Sequence, residues 1–279
     1  MSTDLVWEDS VIWEYEPAIV PKEHLRAALT TAQCLFCGTP LTLMRHETHT
    51  EYVGHGPQSE SVSVRACECC GWWTKQVRAR YVGYGDEEIL LQGAMGVLRN
   101  LNPADDDAPI EEVRAYLLAR YEARLEMSPR LFEQTVASVY CKAGRRAVVT
   151  GRSGDGGIDV VLEDATGKQT GVQVKRTKNS IKVEAIRSLA GALLLRGMPE
   201  GIFVTTSRFQ SGCTEEARIA GLRGKRIQLV DAVRFYDALR IGQREAYSSS
   251  DDPSAPFSGA GMVTLEREQR ERPGRIWHY

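Results

Sequence analysis

Two short stretches of this chain hold side chains that could do chemistry, and two others hold side chains that could grip a metal. In Gly171-Val172-Gln173-Val174-Lys175, the alternation of a β-strand sends the valines one way and Gln173 with Lys175 the other. In Gly157-Ile158-Asp159-Val160-Val161, a single carboxylate, Asp159, stands among apolar neighbours, where it is costly unless paired or bound to a cation. If the two strands pair, Asp159, Gln173 and Lys175 converge beside the sheet. An acid, a carbonyl oxygen and an ammonium in one place suit phosphodiester hydrolysis. Asp159 and Gln173 supply hard oxygen ligands for Mg²⁺, which neutralises the phosphate and lowers the pKa of its bound water. Lys175 orients that water or offsets the charge of the transition state. The structural alternative is a buried Asp159–Lys175 ion pair that only joins two strands.

The cysteines follow a second pattern. Of seven, Cys34, Cys37, Cys67, Cys69 and Cys70 fall in the first quarter, with only Cys141 and Cys213 beyond. CLFCG and CECCG give two CxxC pairs, each closed by glycine and separated by 29 residues. Sulfur at the first and fourth positions of a tight turn is the form of a zinc knuckle, and two knuckles make a closed four-cysteine site. Cys34, Cys37, Cys67 and Cys70 are therefore assigned to structural Zn²⁺, with Cys69 spare, and the segment resembles a zinc ribbon. Reduced buried thiols are the alternative, and the HxxH pair His46 and His49, with His55 close by, offers a mixed ligand set. Trp72, Trp73, Lys75, Arg78, Arg80 and Tyr81 flank the second knuckle. They could grip nucleic acid or pack against the helices downstream.

These groups need a frame. Apolar spacing of three and four predicts helices over Glu87–Arg99 and Ile110–Met127, with LNPADDDAP a turn between them. Ser128 is a good N-cap and Pro129 a good first helical residue, with Phe132, Val136 and Val139 as the buried stripe. Strands around Ala147–Thr150, Ile158–Leu162 and Thr170–Lys175 then form a meander. After them a helix from Val183 to Arg196, the strand GIFVTT, a helix from Cys213 to Leu222, the strand RIQLV and a helix from Asp231 to Leu239 alternate, which implies a parallel section with crossover helices. The fold class expected is α/β: a mixed β-sheet flanked by helices, preceded by a small zinc-ribbon-like domain. Residues 1–85 are read as that domain, 86–125 as a helical connector, 126–242 as the catalytic domain, and 243–279 as linker and tail.

Composition bounds the function. The chain has 279 residues, 42% apolar and 26% charged, ordinary for two folded domains. A formal charge of -2 means that any phosphate contact must come from a local patch. The acidic start lacks a signal-peptide pattern, and no apolar run approaches the ~20 residues of a membrane span. A cytoplasmic protein with no membrane partner is expected.

GRSGDGGIDVV, GVQVKRTK and GIFVTTSRF together resemble the catalytic domain of Mrr-type restriction endonucleases, within the PD-(D/E)xK nuclease superfamily. The likeness runs from SPRLFEQ to LVDAVRFYDAL in the family's order. It implies a restriction-endonuclease-like fold and Mg²⁺-dependent cleavage of DNA in restriction or anti-phage defence. It implies Asp159 as the metal-binding aspartate, Gln173 in the second acid position, Lys175 as the catalytic lysine, and Glu133 as the glutamate that completes the metal site. Gln in place of Glu departs from the superfamily pattern and resembles the QxK variant of the Mrr branch. Arg152, Lys178 and Lys182 lie near the site in sequence and could contact phosphates, with scattered surface charge as the alternative. Asp155 sits among glycines, where a turn is the alternative to metal binding, and Ser207 and Arg208 could approach the substrate, with a loop as the alternative. A double-strand cut takes two active sites, which admits a homodimer, and the ribbon or helices could recognise a modified base, a DNA end or a partner protein of a defence system. A catalytically silent nucleic-acid-binding or assembly module, or a nuclease acting on RNA, would use the same fold.

Overall fold

The computed structural model describes residues 12–14, 20–54, 56–151, 156–247 and 262–271. His55, Arg152, Asp155, the acidic start and the final residues lie outside that set. The chain divides into two compact units, Met1–Asn100 with Ser250–Tyr279, and Leu101–Ser249.

In the first unit, β1 (Trp13–Glu14) precedes α1 (Lys22–Thr30), β2 (Thr42–Val53), β3 (Gly56–Ala66), β4 (Trp73–Val82), β5 (Asp86–Met95) and β6 (Val97–Leu98). β2 to β5 form an antiparallel meander, and a late strand, Val263–Glu271, closes it against β5. β1 and β6 pair separately. The sheet carries α1, whose Leu25 and Leu29 pack with Leu91, Met95, Val263 and Leu265.

Two expectations fail here. Glu87–Arg99 is strand, not helix: its apolar residues are partly covered on both faces, so they show no clean alternation, and pairing on either side decides the conformation. The tail is not all tail, because Val263–Glu271 supplies the sheet's edge strand.

The second unit begins with α2 (Ile110–Ala119), a 3₁₀ turn (Tyr121–Leu125) and α3 (Pro129–Lys142). The single helix expected over Ile110–Met127 is broken at Arg120, whose backbone leaves the helical region. Strands β7 (Arg146–Val149), β8 (Val160–Glu163) and β9 (Gln169–Lys175) follow. Then come α4 (Val183–Leu195), β10 (Glu200–Thr205), α5 (Gly212–Leu222), β11 (Arg226–Val230) and α6 (Ala232–Tyr247). The sheet order is β11-β10-β9-β8-β7, antiparallel from β7 to β9 and parallel from β9 to β11. This is the meander followed by a parallel section that the sequence implies.

Helices cover both faces. On one, Phe132 of α3 meets Phe235 of α6 edge to face, with ring centroids 5.4 Å apart. On the other, Ile186, Leu189 and Leu193 of α4 pack with Phe203 and Ile158. Gly171 and Gly201 are registered side by side under Leu193, and a Cβ on Gly201 would lie 2.5 Å from its Cδ1. A side chain at either glycine would force Leu193 to shift. Among the described residues, no helix is long and apolar enough to cross a membrane.

Candidate functional site

Asp159 sits just before β8, where two residues oppose one. Val160 is registered with Val172, yet the Asp159 amide also donates to the Val172 carbonyl, at 2.8 Å. Such a bulge re-aims a side chain. The Asp159 carboxylate thereby accepts from the Val174 amide, 2.6 Å from its Oδ2, between Gln173 and Lys175. Thr150 holds the segment from the other side, its amide and hydroxyl both donating to the Asp159 carbonyl.

Gln173 is half-buried, and its Oε1 is fully buried without a hydrogen-bond partner among the described residues. A buried carbonyl oxygen costs free energy unless something ligates it. Lys175 is exposed at the end of β9.

Glu133 faces the same region from α3. Ser128 caps that helix, accepting from the Leu131 amide at 2.9 Å. Its hydroxyl also donates to Asp106 Oδ1, which stitches the loop before α2 to the start of α3. A cleft of about 480 Å³ opens between these elements, lined by Asp106, Ser128, Pro129, Arg130, Glu133, Gly151 and Asp159. Asp159 and Glu133 are thus brought to one cleft, whereas Gln173 and Lys175 do not line it. Among the described residues, no three Asp, Glu, His or Cys ligand atoms gather within 4.8 Å there. Asp106 was hidden in the sequence, since its run of turn formers reads as a loop. Lys178, Lys182 and Arg208 are exposed outside the cleft, and Ser207 donates to the Asn179 carbonyl.

The first unit holds the cysteine cluster. Cys34, Cys37, Cys67 and Cys70 place their sulfurs within 4.8 Å of one another. Cys34 to Cys70 is 3.5 Å and Cys37 to Cys67 3.4 Å. The two knuckles repeat one geometry: Gly38 N–H donates to the Cys34 carbonyl and Gly71 N–H to the Cys67 carbonyl, at 3.0 and 2.9 Å. Both glycines have positive φ, 70° and 77°, which is what closes each turn. Four thiolates packed so closely would need a cation, and the group could hold a metal ion. Neighbouring sulfurs, Cys34 first, hold Cys37 well below the ordinary thiol range, while Cys34, Cys37, Cys67 and burial push Cys70 well above it. Cys69 is buried beside the group but outside it. His46 bonds Ser63 and His49 lies near Glu51, so neither joins the sulfurs. Trp72 is fully buried, its Nε1 donating to the Gly96 carbonyl at 3.0 Å, and Trp73 is 4% exposed. The tryptophans are core, and of the aromatic and basic flank Arg78, Arg80 and Tyr81 reach the surface.

Residues 124–239, which hold the mixed sheet, Asp159 and the capped helix, match the family model Mrr_cat, described as "Restriction endonuclease". The chain is similar to the type IV methyl-directed restriction enzyme EcoKMrr of Escherichia coli (strain K12), 34% identical over 121 residues. That match covers 41% of this chain and 38% of the relative, so the chain spans well under half of the relative's length. A solved structure titled MspJI restriction endonuclease in complex with a 27-mer oligonucleotide aligns at a TM-score of 0.31 and 18% identity. The alignment covers 59% of this chain and 39% of that one.

Proposed function

We propose that the protein is a metal-dependent endonuclease that hydrolyses phosphodiester bonds in DNA as part of a restriction system. The observation that carries this reading is a carboxylate, Asp159, fixed by the Val174 amide next to Gln173, whose buried carbonyl oxygen has no hydrogen-bond partner among the described residues, inside a domain of restriction-endonuclease type. Such a donor set fits a hard divalent cation such as Mg²⁺. Asp159, Gln173 and Glu133 would hold it. When bound, it supplies Lewis-acid charge at the phosphate and a more acidic water. The chain's own part is positional. The Val174 amide fixes the Asp159 carboxylate, the Ser128 cap fixes the helix that carries Glu133, and the exposed Lys175 ammonium meets the substrate's charge at the strand end.

In the first unit, the four sulfurs suit structural Zn²⁺. Zn–S bonds of about 2.3 Å in a tetrahedron require sulfurs about 3.8 Å apart, close to the separations found. All four positions are taken by protein, so this metal would support the fold. Its unit would serve in recognition of DNA or of a defence partner, in monomer or homodimer.

The test is incubation of the wild type and Lys175→Ala with supercoiled plasmid, modified and unmodified, in Mg²⁺ or EDTA. Nicking and linearisation are expected in Mg²⁺ only and fall by about 10²–10³-fold in the variant. The relative's methyl-directed title makes the modified plasmid the preferred arm. A folded wild type that leaves plasmid intact but binds it would favour a silent binding module, and cleavage of structured RNA in its place would reassign the substrate.

A further inference from the structure

We propose that Arg130 is the substrate-phosphate contact of the cleft, held in place by Thr150 and masked by Glu133 until that carboxylate is drawn away. This rests on the nuclease reading above. Asp106, Glu133 and Asp159 all line the cleft, and among the described residues Arg130 is the one basic residue lining it. A phosphodiester entering such a space meets carboxylates on several sides and needs a fixed cation there.

Arg130 meets that need by construction. Its Nη1 donates to the Thr150 carbonyl at 2.8 Å, and Thr150 is itself bonded to the backbone of Asp159. The guanidinium is therefore tied to the peptide that positions the metal-ligand candidate. The same Nη1 reaches Glu133 Oε2 at 3.4 Å, one turn along α3, and both side chains stay partly exposed. Both contacts use one nitrogen, so much of the fork that suits phosphate is turned elsewhere.

Its placement is also electrostatically awkward. Arg130 occupies the first turn of α3, where the helix dipole favours anions and opposes a cation. A cation kept there needs compensation, which Glu133 supplies in this state and a phosphate would supply in the complex. When Glu133 turns to a metal ion, the guanidinium passes from one anion to the other. Metal occupancy and DNA binding are then coupled through a single ion pair.

The experiment measures binding of a short DNA duplex to the full chain by fluorescence anisotropy over a salt series, in EDTA for the masked state and in Mg²⁺ for the open one. A Lys175→Ala background keeps the DNA whole, and Arg130→Gln, Arg130→Lys and Glu133→Gln are compared within it. Loss of one phosphate contact lowers the slope of log affinity against log salt by about 0.9. That drop is expected for Arg130→Gln, with recovery in Arg130→Lys. In EDTA, Glu133→Gln is expected to tighten binding by on the order of tenfold, and the gain to vanish when Arg130→Gln is added. A merely structural Arg130 would lower the melting temperature and leave the slope unchanged, which overturns the proposal. Should Arg130→Gln fail to fold, an unaltered affinity in Glu133→Gln overturns it equally. If plasmid nicking persists with the slope unmoved, the inference alone fails; a parent that neither binds duplex nor, as wild type, nicks plasmid takes the nuclease reading down with it.

Discussion

Gln173 carries a cost that a ligand would explain. Its carbonyl oxygen is buried without a protein partner among the described residues, so the folded chain bears a desolvation penalty that a ligand would relieve. Gln173→Met keeps the shape and removes that oxygen. The variant is expected to be as stable as the wild type or up to about 1 kcal/mol more stable, while plasmid cleavage is lost; thermal unfolding and the nicking assay check the two halves. A drop in stability would mark Gln173 as a structural residue. The approach of Asp159 to the Gln173–Lys175 segment was legible because strand alternation and composition expose an acid and an ammonium in apolar runs. The cysteine pairs were legible from spacing alone. Asp106 and Arg130 were not: each is an ordinary charge in its local context, and only the packing of α3 against the sheet brings them to the cleft with Asp159.

At the scale of elements, the tightest fit is α4 on the sheet, made by Gly171 and Gly201 under Leu193. Gly201→Val would push a branched side chain into Leu193 and is expected to cost about 1–3 kcal/mol, read from denaturant unfolding of the second unit. Because β9 runs through this contact, a displaced α4 would also disturb Gln173 and lower cleavage. The second unit was readable from its pattern, since its helices show a clear apolar stripe and its strands are short runs bounded by glycine. β5 was not. Ile89, Leu90, Leu91, Ala94 and Met95 satisfy helical spacing, yet both faces of β5 are partly covered and both edges are paired, so long-range pairing overrides a local period. The strand Val263–Glu271 was missed for a related reason. It is highly charged and mostly exposed, an edge strand whose conformation comes from its partner β5.

For the whole molecule, the two units rest on different physics. The second has apolar layers on both faces of its sheet, whereas the first, among the described residues, has one short helix, buried tryptophans and the sulfur cluster. Zinc chelation is therefore expected to lower the melting of the first unit and leave the second nearly unchanged, giving two separated transitions in calorimetry. Because the ligands must be thiolates, the stabilisation contributed by metal is present at neutral and higher pH and is lost as pH falls and protons compete for sulfur. One metal per chain by elemental analysis, and its disappearance in Cys34→Ser, would complete the test.

The path of the chain through its first sheet also sets an order of events during synthesis. The partner of β5 lies in Val263–Glu271, after every element of the second unit. On the ribosome, the second unit can finish folding while β5 still waits with an unpaired edge, a state in which strands recruit one another between molecules. Translation of Val263–Glu271 then acts as a latch: a nascent chain that stalls before it carries a folded second unit and an open, adhesive sheet.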